Sequence, residues 1–112
     1  MKTHSQITTH LNDHAQQYVR SKGFSFGSGA AQDMQGMLDT GANNILHPTP
    51  EFEGISQDEL IGMADKKLEV FIDHMVAARE KVYPDPSAHD RVGEETYAWA
   101  KNRLCPMWPF CT

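Results

Sequence analysis

Ser56–Tyr83 restricts what this chain can become more than any other stretch. Ser56 and Glu59 have the spacing of a capping box, which satisfies two backbone donors that a helix start leaves open. Ile55 and Leu60 flank the cap as a hydrophobic staple does. Asp58 and Glu59 stand at the positive end of the helix dipole, Arg79 and Lys81 at the negative end. Ile61, Ala64, Leu68, Phe71, Met75, Ala78 and Val82 recur three and four apart, and Leu60, Ile72 and Val76 widen that seam beyond a two-stranded coiled coil. Pro84 and Pro86 then stop the ladder. The pattern predicts a helix of about seven turns. A stripe so broad has to be covered, by other helices of the chain or by a second copy.

The 112 residues allow one domain with a single core. A charged fraction of 22% is that of a globular protein, while a mean hydropathy of -0.55 implies solvated segments outside the helices. The net charge of -5, with lysines and arginines scattered singly or as Lys66–Lys67, argues against a nucleic-acid partner, which needs a basic stripe to neutralise phosphates. The carboxylates are not massed as in a DNA mimic. No apolar run is long enough to span a bilayer and residues 1–30 lack the apolar centre of a secretion signal, so the expectation is a cytoplasmic protein with no membrane partner.

Along the chain, residues 3–21 read as a first helix, capped by Thr3 or Ser5, with Ile7, Leu11, Ala15 and Val19 on one face. His10 and His14 are four apart, a spacing from which two rings reach one metal, with Asp13 adjacent. The simpler reading sets His14 at the edge of the apolar face beside Leu11 and Tyr18 and leaves His10 solvated. Residues 21–29 form a glycine–serine loop anchored by Phe24 and Phe26. The loop lacks the preceding strand and the lysine of a phosphate-binding loop. Residues 30–39 read as a short helix capped by Ser28, with Met34, Met37 and Leu38 inward and Gly41 as its stop. Asn43–Asn44 then turns the chain, a strand at 44–47 is an option, and Pro48 and Pro50 force an extended connector over 40–55. A last helix over 87–104, capped by Asp85 or Ser87, carries Val92, Tyr97, Trp99 and Ala100 and packs antiparallel to the central one. Asp73–His74 and His89–Asp90 are sequence neighbours that point to different helix faces, so neither makes an acid–base pair.

The tail, CPMWPFCT, has three readings. It covers the end of the bundle with Trp108 and Phe110 in the core. Or it is an exposed docking peptide kept extended by its prolines, with Leu104, Met107, Trp108 and Phe110 as contact residues. Or Cys105 and Cys111 form a redox pair. A zinc site would need His10 and His14 to join the two cysteines.

These readings converge on an all-α bundle over 1–104, with three main helices, one short helix and an irregular glycine- and proline-rich connector, followed by an apolar tail over 105–112. The expected function is that of a non-enzymatic interaction or regulatory module, an adaptor or inhibitor with no cofactor. It would hold a protein partner, or itself as a homodimer, through the long helix and the tail. The alternative is a thiol-redox or metal-dependent enzyme using Cys105, Cys111, His10 and His14.

Overall fold

The structure, a computed structural model, describes residues 1–82, 91–92, 97, 100–102 and 108–110. It is an all-α bundle with a two-residue parallel bridge at one end.

Helix α1, His4–Ser21, starts where its cap predicts. The Gln6 amide donates to Thr3 Oγ1 at 3.3 Å and the Thr3 amide donates to Gln6 Oε1 at 2.9 Å, so each residue satisfies the other's open donor. Ile7, Leu11, Ala15 and Val19 are fully buried along one stripe.

Helix α2, Ser28–Leu46, is the largest departure from expectation, with 19 residues instead of a short helix over 30–39. Gly41 does not stop it, Asn43–Asn44 does not turn it, and there is no strand at 44–47. Its cap is Gly27 and makes no side-chain hydrogen bond. Poor helix formers cost at most about 1 kcal/mol each. Burying a side chain such as Ile45 returns about 1.5–3 kcal/mol. Met34, Met37, Leu38, Ala42 and Ile45 make one continuous buried face, and packing outweighs propensity.

After a 3-10 turn at Pro50–Phe52, helix α3 spans Gln57–Val82. The Glu59 amide donates to Ser56 Oγ at 3.2 Å, which makes Ser56 the cap. Leu60, Ile61, Ala64, Leu68, Phe71, Ile72 and Met75 are buried, with Ile55 and Val76 packed at the margin. From Leu60 to Met75 the stripe that demanded a partner is covered within one chain.

The order of contacts sets the topology. Residues 2 and 57, 10 and 65, 14 and 69, and 18 and 73 meet in pairs, each 55 positions apart. A constant difference means that α1 and α3 run parallel and in register. Helix α2 lies antiparallel between their ends, with His4 of α1 reaching the Asp39 carbonyl at 3.3 Å. Within the expected helix over 87–104, Arg91–Val92 (β2) is extended instead. It pairs in parallel with Ser25–Phe26 (β1), Ser25 opposite Arg91 and Phe26 opposite Val92. The bridge satisfies backbone groups that a loop would leave to water. The cap candidates Asp85 and Ser87, and Trp99, lie outside the described residues. Tyr97 and Ala100–Asn102 are helical and supply the fourth side of the core. The Tyr97 ring meets Phe71 edge-on at 5.4 Å, and its hydroxyl donates to Met37 Sδ at 3.4 Å.

Burial, and secondarily Asp33, pushes the Tyr97 phenol far above its ordinary range. The folded state holds it neutral, so its contribution is intact below about pH 10, the unfolded value, and is lost as pH rises beyond that. Near-ultraviolet titration should show one of the three tyrosines ionising only as the helical circular dichroism collapses. Tyr97→Ala should cost about 3–5 kcal/mol in urea unfolding.

Candidate docking site

The C-terminal segment Trp108–Phe110 lies on the second half of α2 and on the Pro50–Phe52 turn. Three contacts hold it there. The Trp108 ring stacks on Phe52, with centroids 4.3 Å apart and planes 23° from parallel. Asn44 Nδ2 donates to the Pro109 carbonyl at 2.6 Å. The Phe110 ring fits against the bare backbone of Gly41 so closely that a Cβ there would lie 2.7 Å from Phe110 Cδ1 and Cε1. A helix glycine that looks like a stop signal is therefore the floor of a notch. Phe110 is 2% exposed and Trp108 is partly buried. The indole Nε1 of Trp108 is buried without an acceptor.

Of the residues the sequence nominates for docking, Trp108 and Phe110 are thus folded onto the bundle, and Phe110 has no free face in this arrangement. Leu104, Met107 and the nominated redox residues Cys105 and Cys111 lie outside the described residues.

His10 and His14 each face a different carboxylate of α3. His10 Nε2 donates to Asp65 Oδ2 at 2.8 Å, and His14 Nε2 donates to Glu69 Oε2 at 3.1 Å. Each Nε2 is therefore engaged by a carboxylate of α3. Among the described residues no group of three or more histidine, cysteine or carboxylate side chains is gathered to hold an ion. The pairs are rungs of a ladder between α1 and α3. Its lower rung is the reciprocal Lys2–Gln57 pair, at 2.7 and 3.1 Å. Its upper rung is Tyr18, whose hydroxyl donates to Asp73 Oδ1 at 2.9 Å. That bond, then desolvation, raises the Tyr18 phenol above its ordinary value. Lys22, with Nζ 5.0 Å from the Tyr18 ring centre and 3.5 Å from Asp73 Oδ1, is raised by the same two neighbours. Asp73 and the solvent-facing His74 do not pair. His89 and Asp90 lie outside the described residues. Each rung is half exposed and contributes at most about 1 kcal/mol. The ladder is a register device, with donors and acceptors that consume one another.

A cavity of about 490 Å³ opens beside the lower rung, lined by Met1, Lys2, Ser56, Gln57 and Asp58. It is lined by the charged side chains of Lys2 and Asp58 and has no aromatic wall, and the Gln57 amide in it is already spent on Lys2. The groove under Trp108–Phe110 is the better-built site.

Sequence reasoning missed Gly41, Asn44 and Phe52 as a set, since nothing local marks three residues spread over a helix and a turn. It also missed Asp65 and Glu69, although their spacing of four matches that of His10 and His14. Two glycines of α2 separate helix propensity from docking. A Cβ on Gly36 meets nothing within 4 Å, whereas one on Gly41 strikes Phe110. Gly36→Ala should stabilise the chain by about 0.5–1 kcal/mol. Gly41→Ala should forfeit that gain and destabilise, because overpacking costs about 1–3 kcal/mol. Urea unfolding of the two variants measures the contrast.

No family model matches the chain, and neither the curated proteins nor the solved structures compared with it give a significant match.

Proposed function

We propose that the chain is a non-enzymatic protein-interaction module whose working part is the junction between its C-terminal aromatic segment and the groove on α2. The observation that carries this reading is the manner of docking. A side-chain amide addresses a main-chain carbonyl while flanking aromatic rings take a platform and a notch, which is how folded domains hold short peptides. The apolar stripe of α3 is spent in the core from Leu60 to Met75, which makes the segment the element to exchange among the described residues.

The energies of docking and release are close. The ring stack and the amide bond bring about 0.5–1.5 kcal/mol each. Burying Phe110 brings about 1.5–3 kcal/mol. Against these stand the buried indole donor, about 1–3 kcal/mol, and the ordering of three residues at about 1–2 kcal/mol each. The terms nearly cancel, and a contact so balanced opens without unfolding the helices. A segment of this kind is a regulatory element, closed on its own bundle or open to a partner.

In a Trp99→Phe background, Trp108 is the sole tryptophan. Its emission should shift to the red at a lower urea concentration than the loss of helical circular dichroism. Coincidence of the two transitions would make the segment an inert part of the core and remove the reading.

A further inference from the structure

We infer that the groove formed by Gly41, Asn44 and Phe52 is a recognition site for a short turn-forming peptide of a partner protein carrying aromatic–proline–aromatic chemistry, with Trp108–Phe110 as its built-in competitor. The inference rests on the reading above, since the segment has to leave before anything replaces it. The chain's own occupant shows what fits.

Phe52 offers a flat apolar face, and the ring on it lies 4.3 Å away and nearly parallel. Such a platform accepts any aromatic ring and gives affinity more than selectivity. Selectivity lies in the Gly41 notch. The phenyl edge of Phe110 approaches the α2 backbone more closely than any Cβ would allow, so only a flat ring enters. Pro109 fixes the distance between platform and notch, and its ring also touches the notch, 3.7 Å from the Cβ position of Gly41. Proline has a fixed φ, which lowers the ordering cost of binding. Asn44 reads the carbonyl of the middle residue, a contact that any peptide supplies. Among the described residues the contacts to the segment are aromatic, amide and backbone, which suits a neutral ligand core. A covalently attached occupant acts at about millimolar effective concentration, and a partner peptide meets a closed groove in the intact chain.

The test uses the full chain and a dye-labelled peptide with the sequence of residues 106–110. Fluorescence anisotropy should show saturable binding to the Trp108→Ala/Phe110→Ala chain at least tenfold tighter than to the unsubstituted chain. Adding Gly41→Leu should abolish it. If the double variant keeps its helical circular dichroism and binds no peptide, or binds equally well with Gly41→Leu, the inference is overturned. Should the double variant lose its helices, the Trp99→Phe chain serves instead. Excess peptide with phenylalanine in place of its tryptophan should displace Trp108 and shift its emission to the red, and an unchanged spectrum overturns the inference. A chain that dimerises by light scattering only while Trp108 and Phe110 are intact assigns the groove to the tail of a second copy and overturns the partner assignment. Release of Trp108 in urea without peptide binding defeats this inference alone, whereas a Trp108 that never releases defeats the underlying reading too.

Discussion

The parallel contact between α1 and α3 is the arrangement on which the rest of the molecule depends. Parallel neighbours place like ends of two helix dipoles side by side, which is unfavourable. It is offset here by burial of Ile7, Leu11, Ala15 and Val19 against the stripe of α3, and by Asp58 and Glu59 in the first turn of α3. The ladder at the solvent edge then chooses among sliding alternatives. Apolar stripes tolerate a shift along the axis better than hydrogen bonds do, and four pairs with one common offset are satisfied in a single register. With α1 and α3 parallel, α2 has to run back between them. Among the described residues after Tyr97, Trp108 lies at the end where Phe52 stands.

That arrangement explains why the groove lies where it does. Tyr97 meets Met37 and Phe71 near the middle of the bundle. Trp108 meets Phe52, just before α3 begins. As the chain moves toward its C-terminus its partners on α2 advance and its partners near α3 retreat, the pattern of an antiparallel fourth side. The C-terminal part of α2 is therefore both a helix end and the surface on which Trp108–Phe110 lies. Gly41 and Asn44 are poor helix formers kept inside a helix because each meets the C-terminal segment there.

What the sequence makes legible follows from which interactions are local. Thr3 with Gln6, and Ser56 with Glu59, are caps within one turn, and both helix starts fall where those residues place them. The stripes of α1 and α3 are periodic, and α1 and the Leu60–Met75 part of α3 come out buried as expected. Helix α2 is misread because propensity at Gly41 and Asn43–Asn44 is a local quantity, while the burial of Ala42 and Ile45 that overrides it comes from elsewhere in the chain. The same holds for Arg91–Val92, whose extended shape follows from pairing with residues far earlier. His10 and His14 look alike as metal ligands and as hydrogen-bond donors until Asp65 and Glu69 stand opposite them. The groove is least legible, because an aromatic in an apolar tail reads equally as core, ligand or redox neighbour before its notch is seen.

The shared offset of the ladder also sorts the chain by its tolerance of insertions and deletions. Removing one residue inside α1 turns everything beyond it by about 100° around the helix axis, which carries His14 and Tyr18 off the side that faces α3 and takes Leu11, Ala15 and Val19 out of the core with them. A residue added in the connector before Pro50 or between Phe52 and Ser56 costs only loop entropy, a fraction of a kcal/mol by the logarithmic law, and leaves the register intact. Phe52 divides that connector in two, since its ring belongs to the groove and not to the loop. Length variation is therefore expected on either side of Phe52, and not across it.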